Sequence, residues 1–161
     1  MKLKTQIAVI VLGLAASTSF VWSLDRPPRE TIPTIEGVWQ VSRHGVNCND
    51  PNQVLSTFPA IMTFYRDGTM TGAAKSPVTG PFDTPEYGSW QREPGSQNYS
   101  FRDVELRYDG NGTFIGSLVL TANLELTDAN SFTYSATIQI FDANWNLVAT
   151  LCGRATATRF E

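Results

Sequence analysis

The residues of this sequence with the clearest capacity for chemistry lie in one alternating segment. Tyr99, Phe101, Asp103, Glu105 and Arg107 stand on one parity, and Ser100, Arg102, Val104, Leu106 and Tyr108 stand on the other. If the first set faces a protein interior, Asp103 and Glu105 lose solvation, their pKa values rise, and acid–base chemistry becomes possible. If the second set faces inward, Arg102 is the interior charge and could hold a carboxylate ligand. Otherwise the charged set is a solvated outer face, which is usual for a sheet.

Other reactive side chains are few and isolated. His44 is the only histidine, and without a partner it indicates no catalytic pair. The run Asp109-Gly110-Asn111-Gly112 has Phe114 where a calcium loop has glycine, so we interpret it as a hairpin turn. Two cysteines and one histidine cannot complete a zinc-ribbon, iron–sulfur or haem-attachment ligand set. The sequence therefore predicts no catalytic motif, no metal site and no cofactor.

The composition predicts one folded domain. The chain has 161 residues, of which 42% are hydrophobic and 17% are charged, and this balance disfavours both disorder and a second domain. The formal net charge is −3, and removal of Lys2 and Lys4 with a leader would make it −5. An acidic domain argues against nucleic-acid partners and against anionic membranes, because both reward clustered basic residues.

The first residues resemble a targeting segment rather than part of the fold. Lys2 and Lys4 precede an apolar run and then small residues, which predicts a signal peptide over residues 1–23 with cleavage after Ser17 or Ser23. The alternative is an uncleaved anchor, because no charge interrupts residues 5–24. A Pro-rich linker follows over residues 24–34, and the folded domain spans residues 35–161. We expect a periplasmic or extracellular protein without stable membrane association after cleavage.

The expected export of the protein bears on the state of its two cysteines. In an oxidising compartment, an even pair without neighbours at metal-ligand spacing indicates a disulfide between Cys48 and Cys152, with two free thiols as the alternative.

Short runs of β-branched and aromatic residues, separated by turn signals, predict an all-β domain without helices. We expect eight strands, at about Ile35–Arg43, Pro59–Arg66, Thr69–Ala74, Glu86–Arg92, Asn98–Tyr108, Thr113–Thr127, Ser131–Phe141 and Trp145–Phe160. The sixth and seventh alternate strictly between apolar and polar residues, which indicates one buried and one solvated face. Closure into an antiparallel up-and-down barrel would protect such long edges, and a two-sheet sandwich is the alternative. In a barrel, pairing of the first and last strands brings the cysteines together.

The opening Gly37-Val38-Trp39 resembles the Gly-x-Trp start of lipocalins and the wider calycin barrels. The resemblance implies that Gly37 allows a close backbone approach, that Trp39 plugs one end, and that Arg159 or Arg154 packs over it. The chain is also similar, from Gly37 to Glu161, to small exported bacterial lipocalin-like proteins. That likeness is carried by the order of several short motifs: Phe58-Pro59-Ala60, Phe64-Tyr65-Arg66-Asp67-Gly68-Thr69-Met70, Tyr87-Gly88-Ser89-Trp90-Gln91-Arg92-Glu93, Phe141-Asp142-Ala143-Asn144 and Cys152-Gly153-Arg154-Ala155-Thr156-Ala157-Thr158-Arg159-Phe160. It implies a fold and an exported location but no activity.

We therefore expect a barrel that binds a small, largely apolar molecule in its lumen. The expected lumen residues are Trp39, Val41, Phe64, Phe114, Leu118, Leu120, Tyr134, Ile138 and Leu151. Small residues on the last strand leave open whether the lumen is hollow or filled by rings. One alternative is a barrel enzyme of the cyclase or isomerase type, similar to allene oxide cyclase, that uses Tyr99, Asp103, Glu105 and Arg107. Another is a partner-binding module, such as a protease inhibitor, that uses the linker or the segment 75–85. The oligomeric state stays open.

Overall fold

A computed structural model of the protein describes residues 33–75 and 83–160. Within these ranges the chain is all β and contains no helix. The strands are β1 (Gly37–Asn47), β2 (Asp50–Phe64), β3 (Thr69–Ala74), β4 (Glu86–Arg92), β5 (Asn98–Tyr108), β6 (Phe114–Asp128), β7 (Ser131–Asp142) and β8 (Leu147–Arg159). The predicted signal peptide and residues 24–32 of the linker lie outside the described residues.

The eight strands form one antiparallel ring in which each strand pairs with its neighbour in the sequence and β8 pairs back onto β1. This arrangement confirms the all-β, up-and-down prediction and replaces the sandwich alternative, because a single sheet closes on itself. We name the two ends of the ring by residues found there. The Trp39 end holds the start of β1, and the disulfide end holds the hairpin between β1 and β2.

The predicted strands agree with the structure except in the first hairpin. β1 continues four residues beyond the predicted Arg43 to Asn47, and β2 begins at Asp50 instead of Pro59. The first part of β2, before Pro59, begins with the run Asp50-Pro51-Asn52-Gln53 and does not alternate between apolar and polar residues, so its sequence resembles a loop. It is nevertheless a strand because β1 pairs with it, through two register shifts, as far as Asn47 opposite Asp50. On its other side β3 pairs only from Ala60 onward.

Aspartates close the turns between later strands. Asp67, Asp109, Asp128 and Asp142 each accept a hydrogen bond from the backbone N–H two residues further on, at 2.7 to 2.9 Å. This Asx geometry lets the chain reverse direction within a few residues. The turn signals in the sequence are thus confirmed, including the interpretation of residues 109–112 as a hairpin turn.

The Trp39 end of the ring is filled by side chains. Trp39 is fully buried, donates its indole N–H to the Ile35 carbonyl at 2.7 Å and packs on Phe132 with ring centroids 4.7 Å apart. The guanidinium of Arg159, and not that of Arg154, lies over the Trp39 ring at 4.2 Å. Gly37 has a φ of +124°, and a Cβ there would stand 2.7 Å from Arg159 Nη1. These residues together cover the end of the ring.

Cys48 and Cys152 form a disulfide across 104 residues of sequence. The bond ties the tip of the first hairpin to β8, beside the pairing of Val46 with Cys152 that closes the ring. Such cross-links are typical of oxidising, exported compartments. In residues 33–75 and 83–160 no helix has the length and apolar character needed to cross a membrane.

Candidate functional site

The charged set of β5 faces the interior of the ring. Asp103 and Glu105 are buried with Tyr99 and Phe101, Arg107 is half-buried, and Arg102 on the opposite parity is exposed. The interpretation of this set as a solvated outer face is therefore wrong, and so is that of Arg102 as an interior charge. The reason is that neighbouring strands supply charged partners to the interior, which the β5 sequence alone does not reveal.

One of those partners is a buried ion pair across the ring. Arg43 lies on the inward face of β1, and its Nη1 and Nη2 donate to Glu86 Oε1 and Oε2 at 2.5 and 2.8 Å. Both side chains are almost completely buried. Burial opposes the charged form of Arg43, but Tyr134 and the hydrogen-bonded Glu86 outweigh it and raise the pKa. The guanidinium is therefore permanently charged and already engaged by two carboxylate oxygens.

Two further carboxyl groups lie beside this ion pair. Asp103 is 2% exposed, and neither of its oxygens has a hydrogen-bond partner among the described residues. Burial and then the charge of Glu86 raise its pKa well above the ordinary value. Glu105 is 4% exposed. Burial, followed by the charges of Glu86 and Asp83, raises its pKa to about 7. Burial therefore disfavours the charged form of both acids, and at neutral pH Glu105 is poised between its two forms.

Tyr134 contributes a hydroxyl from β7 to the same region. It is 5% exposed, and its hydroxyl oxygen has no hydrogen-bond partner in the described part of the chain. Burial is the main cause that raises its pKa to about 12, so the phenol stays neutral at physiological pH. Tyr99 also has an unpartnered buried hydroxyl, but its ring packs in the filled half, against Trp90.

A cavity of about 120 Å³ lies beside these polar groups in the half of the ring nearer the disulfide. Its polar lining comes from several strands: Arg43, His44, Ser56, Glu86, Glu105, Tyr134 and Arg154. Its walls are mainly aliphatic and aromatic: Phe58, Ala74, Leu118, Leu120, Ala136, Ile138 and Leu151. Cys152, one of the two disulfide cysteines, also lines the cavity. The interior is thus filled at one end and hollow at the other.

The expected lumen residues divide between these two halves. Leu118, Leu120, Tyr134, Ile138 and Leu151 line the cavity. Trp39, Val41 and Phe64 are buried in the packed core of the Trp39 end. Phe114 is only half-buried and contacts Tyr108 at the start of β6, with ring centroids 5.8 Å apart.

The sequence interpretation missed Arg43 and Glu86. Arg43 shares the parity of Trp39 and Val41 in β1, so the alternation was a usable signal. Glu86 gave a weaker signal of burial, because it is the first residue of a seven-residue strand. Neither residue suggests a buried ion pair until the ring places the two strands around one interior.

The surfaces named for a partner-binding module are only partly described. Residues 76–82 of the segment 75–85 and residues 24–32 of the linker lie outside the described ranges. Exposed apolar side chains do occur at the disulfide end, namely Val54, Leu55, Trp145, Leu147 and Val148. In the described residues, no group of three or more His, Cys, Asp or Glu side chains is placed to hold a metal ion.

No protein-family model matches this sequence, and no curated protein is significantly similar to it. Function is therefore inferred from the fold and from the chemistry of the interior.

Proposed function

We propose that this protein is an exported, lipocalin-like carrier that binds a small, largely apolar molecule inside the ring. The supporting observation is the contrast between the two halves of the interior. One half is packed with rings such as Trp39 and Phe64, whereas the other retains a cavity of about 120 Å³ with mostly apolar walls. A cavity with mostly apolar walls and a few polar groups is the usual form of a small-molecule site.

The size of the cavity limits the ligand. Pockets for drug-sized molecules are commonly about 300–1,000 Å³, well above the 120 Å³ found here. The ligand that fits has a short body of a few carbon atoms. The aliphatic side chains of Leu118, Leu120 and Ile138 would surround that body.

Native mass spectrometry tests the proposal. The protein is purified from the exported fraction of its own host, and its native mass is compared with its denatured mass. We expect a discrete excess mass that disappears on denaturation and identifies the ligand class. A native mass equal to the denatured mass, at full recovery of folded protein, would overturn the proposal.

A pair of substitutions locates the ligand. Leu120→Trp should fill the cavity and abolish the excess mass, because Leu120 is buried and lines it. Thr121→Trp, on the exposed outer face of the same strand, should retain it. If Leu120→Trp does not fold, Ala136→Leu makes a smaller change in the same wall. Retention of the ligand by a folded, cavity-filled variant would contradict binding at this site.

A second candidate function is acid–base catalysis on the bound molecule, and the state of Glu105 favours it. This side chain lines the cavity and has a pKa of about 7, near the value that suits a general acid or base at neutral pH. The test is to incubate the molecule recovered from the protein in D₂O and to follow its C–H signals by NMR. Deuterium incorporation that Glu105→Gln abolishes would support an enzyme, and no incorporation would exclude proton abstraction from carbon.

A further inference from the structure

Two glycines face each other in the wall of the cavity. Gly45 of β1 is paired with Gly153 of β8 at the closing seam of the ring, and both residues line the cavity. Each stands on the inward parity of its strand, because Arg43 and Ala155, the next residues of that parity, are buried and paired with each other. This part of the wall therefore presents no side chain of its own to the interior.

The main chain itself borders the cavity at these glycines. On β6 and β7 every second residue lines the cavity, as expected for side chains on one face of a strand. On β1 and β8 the lining residues are consecutive, over 43–45 and 151–154. These ranges include His44 and Arg154, which are paired with each other between the inward positions. Consecutive residues line one cavity when their backbone atoms border it, so the seam offers bare peptide groups to a ligand.

The backbone does not demand glycine at either position, since neither residue has a positive φ. Gly88 shows the contrast, because a Cβ there would collide with the main chain of β5. The nearest atom to a Cβ at Gly153 would be Ile138 Cδ1, at 3.2 Å, and at Gly45 it would be Ser56 Oγ, at 2.6 Å. Glycine inside a strand is less stabilising than alanine, because it loses more entropy on folding and packs no side chain. What the two glycines provide in return is space beside the peptide groups.

We propose that Gly45 and Gly153 form a glycine floor that selects a flat ligand, the size of one six-membered ring, lying against their peptide groups. This inference rests on the proposed function, because it names the class of ligand for the same cavity. An apolar cavity of about 150 Å³ holds one benzene ring, and this cavity has about 120 Å³. A flat ring contacts bare peptide groups over its whole face, whereas a puckered ring is thicker and contacts them at fewer atoms. The unpartnered hydroxyl of Tyr134, in the same lining, can bind one polar substituent.

Phenol and cyclohexanol test the selection of a flat ring. They share six ring carbons and one hydroxyl group, both are uncharged at pH 7, and they differ in the thickness of the ring. Isothermal titration calorimetry on the wild-type protein should show phenol binding at least about tenfold more tightly than cyclohexanol. Equal affinities, tighter binding of cyclohexanol, or no binding of either probe would refute the inference. Native mass spectrometry decides the proposed function independently, so a bound host molecule without a preference for phenol would refute the inference alone.

Gly153→Ala assigns the preference to the glycine floor. The added methyl group stands between the ligand and the peptide groups, so phenol should bind at least about tenfold more weakly. The thermal midpoint should not fall, because alanine loses less entropy on folding than glycine. Gly110→Ala is the matched control, since Gly110 lies in an exposed turn with open space around its Cβ position, and it should bind phenol like the wild type. Undiminished binding of phenol by folded Gly153→Ala would refute the role of the floor.

Ile138→Val keeps the test decisive if Gly153→Ala is unstable. Valine lacks the Cδ1 atom that the new methyl group would approach, so the double variant accommodates the methyl group without that contact. Ile138→Val alone should keep the preference for phenol over cyclohexanol, and the double variant should lose it. A double variant that still prefers phenol by about tenfold would assign the preference to the rings of Phe58 and Tyr134 in the cavity wall, and would overturn the inference.

Discussion

Replacement of Glu105 by glutamine should change how the stability of the protein depends on pH. In the unfolded chain Glu105 ionises with its ordinary pKa of 4.5, whereas in the folded protein its pKa is about 7. Between these values the folded state binds more protons than the unfolded state, so the free energy of unfolding falls as pH rises. The contribution is absent below pH 4 and complete above pH 8. Glu105→Gln removes this titration and should flatten the curve.

The size of the effect follows from the shift in pKa. A change from 4.5 to about 7 corresponds to about 3 kcal/mol lost from the free energy of unfolding, at about 1.4 kcal/mol per pKa unit. Water that enters the cavity screens the carboxylate, so this value is an upper bound. Asp103 shifts in the same direction and adds to the slope of the wild type, but it is present in the variant as well. The difference between the two proteins therefore isolates Glu105.

Urea unfolding followed by tryptophan fluorescence, with the disulfide intact, measures this difference at several pH values from 5 to 8. Glu125→Gln is the matched control, because Glu125 lies on the exposed face of β6. We expect the control to follow the wild type and Glu105→Gln to gain relative stability steadily as pH rises. Parallel curves for the wild type and Glu105→Gln would refute the conclusion that Glu105 is buried with a raised pKa.

Three further predictions concern stability. Replacing Cys48 and Cys152 by serine should lower the free energy of unfolding by about 4 to 5 kcal/mol in the chain-entropy model, since the bond closes a loop of 104 residues. Urea unfolding measures this loss, and a loss below about 1 kcal/mol would contradict the chain-entropy model. Arg159→Met removes three hydrogen bonds to backbone carbonyls and should cost about 2 to 4 kcal/mol, whereas the exposed Arg154→Met should cost less than about 0.5 kcal/mol in the same assay. Gly37→Ala should cost more than about 1 kcal/mol because of its positive φ; an unchanged thermal midpoint would show that this position tolerates a side chain.

Local patterns in the sequence were sufficient to predict most of the fold. β6 and β7 alternate strictly, and aspartate turns separate the later strands, so type, order and approximate bounds could be assigned. The beginning of β2 could not be assigned from the sequence, because Asp50–Phe58 is a strand only through its pairing with β1. Pairing between strands is a tertiary interaction that single-strand periodicity does not contain.

The candidate site was harder to predict for a related reason. The parity of β5 correctly grouped Asp103 with Glu105, but which parity faces inward depends on the whole ring. Arg43 and Glu86 lie 43 residues apart in the sequence and meet only because β1 and β4 face the same interior. Sequence reasoning could therefore name the acids but not the ion pair that lies beside them.

The closure of β1 onto β8 has a consequence for the order of folding. Every other pairing joins strands that are consecutive in the chain and can form as a local hairpin, whereas this one must bring together segments more than a hundred residues apart. The chain entropy of that step makes it the slow one. Until it occurs, two strand edges are open to other molecules, which is the condition under which β proteins aggregate. A chain that has already oxidised Cys48 and Cys152 has these two edges tethered side by side, so the timing of this oxidation controls how long the folding intermediate is exposed.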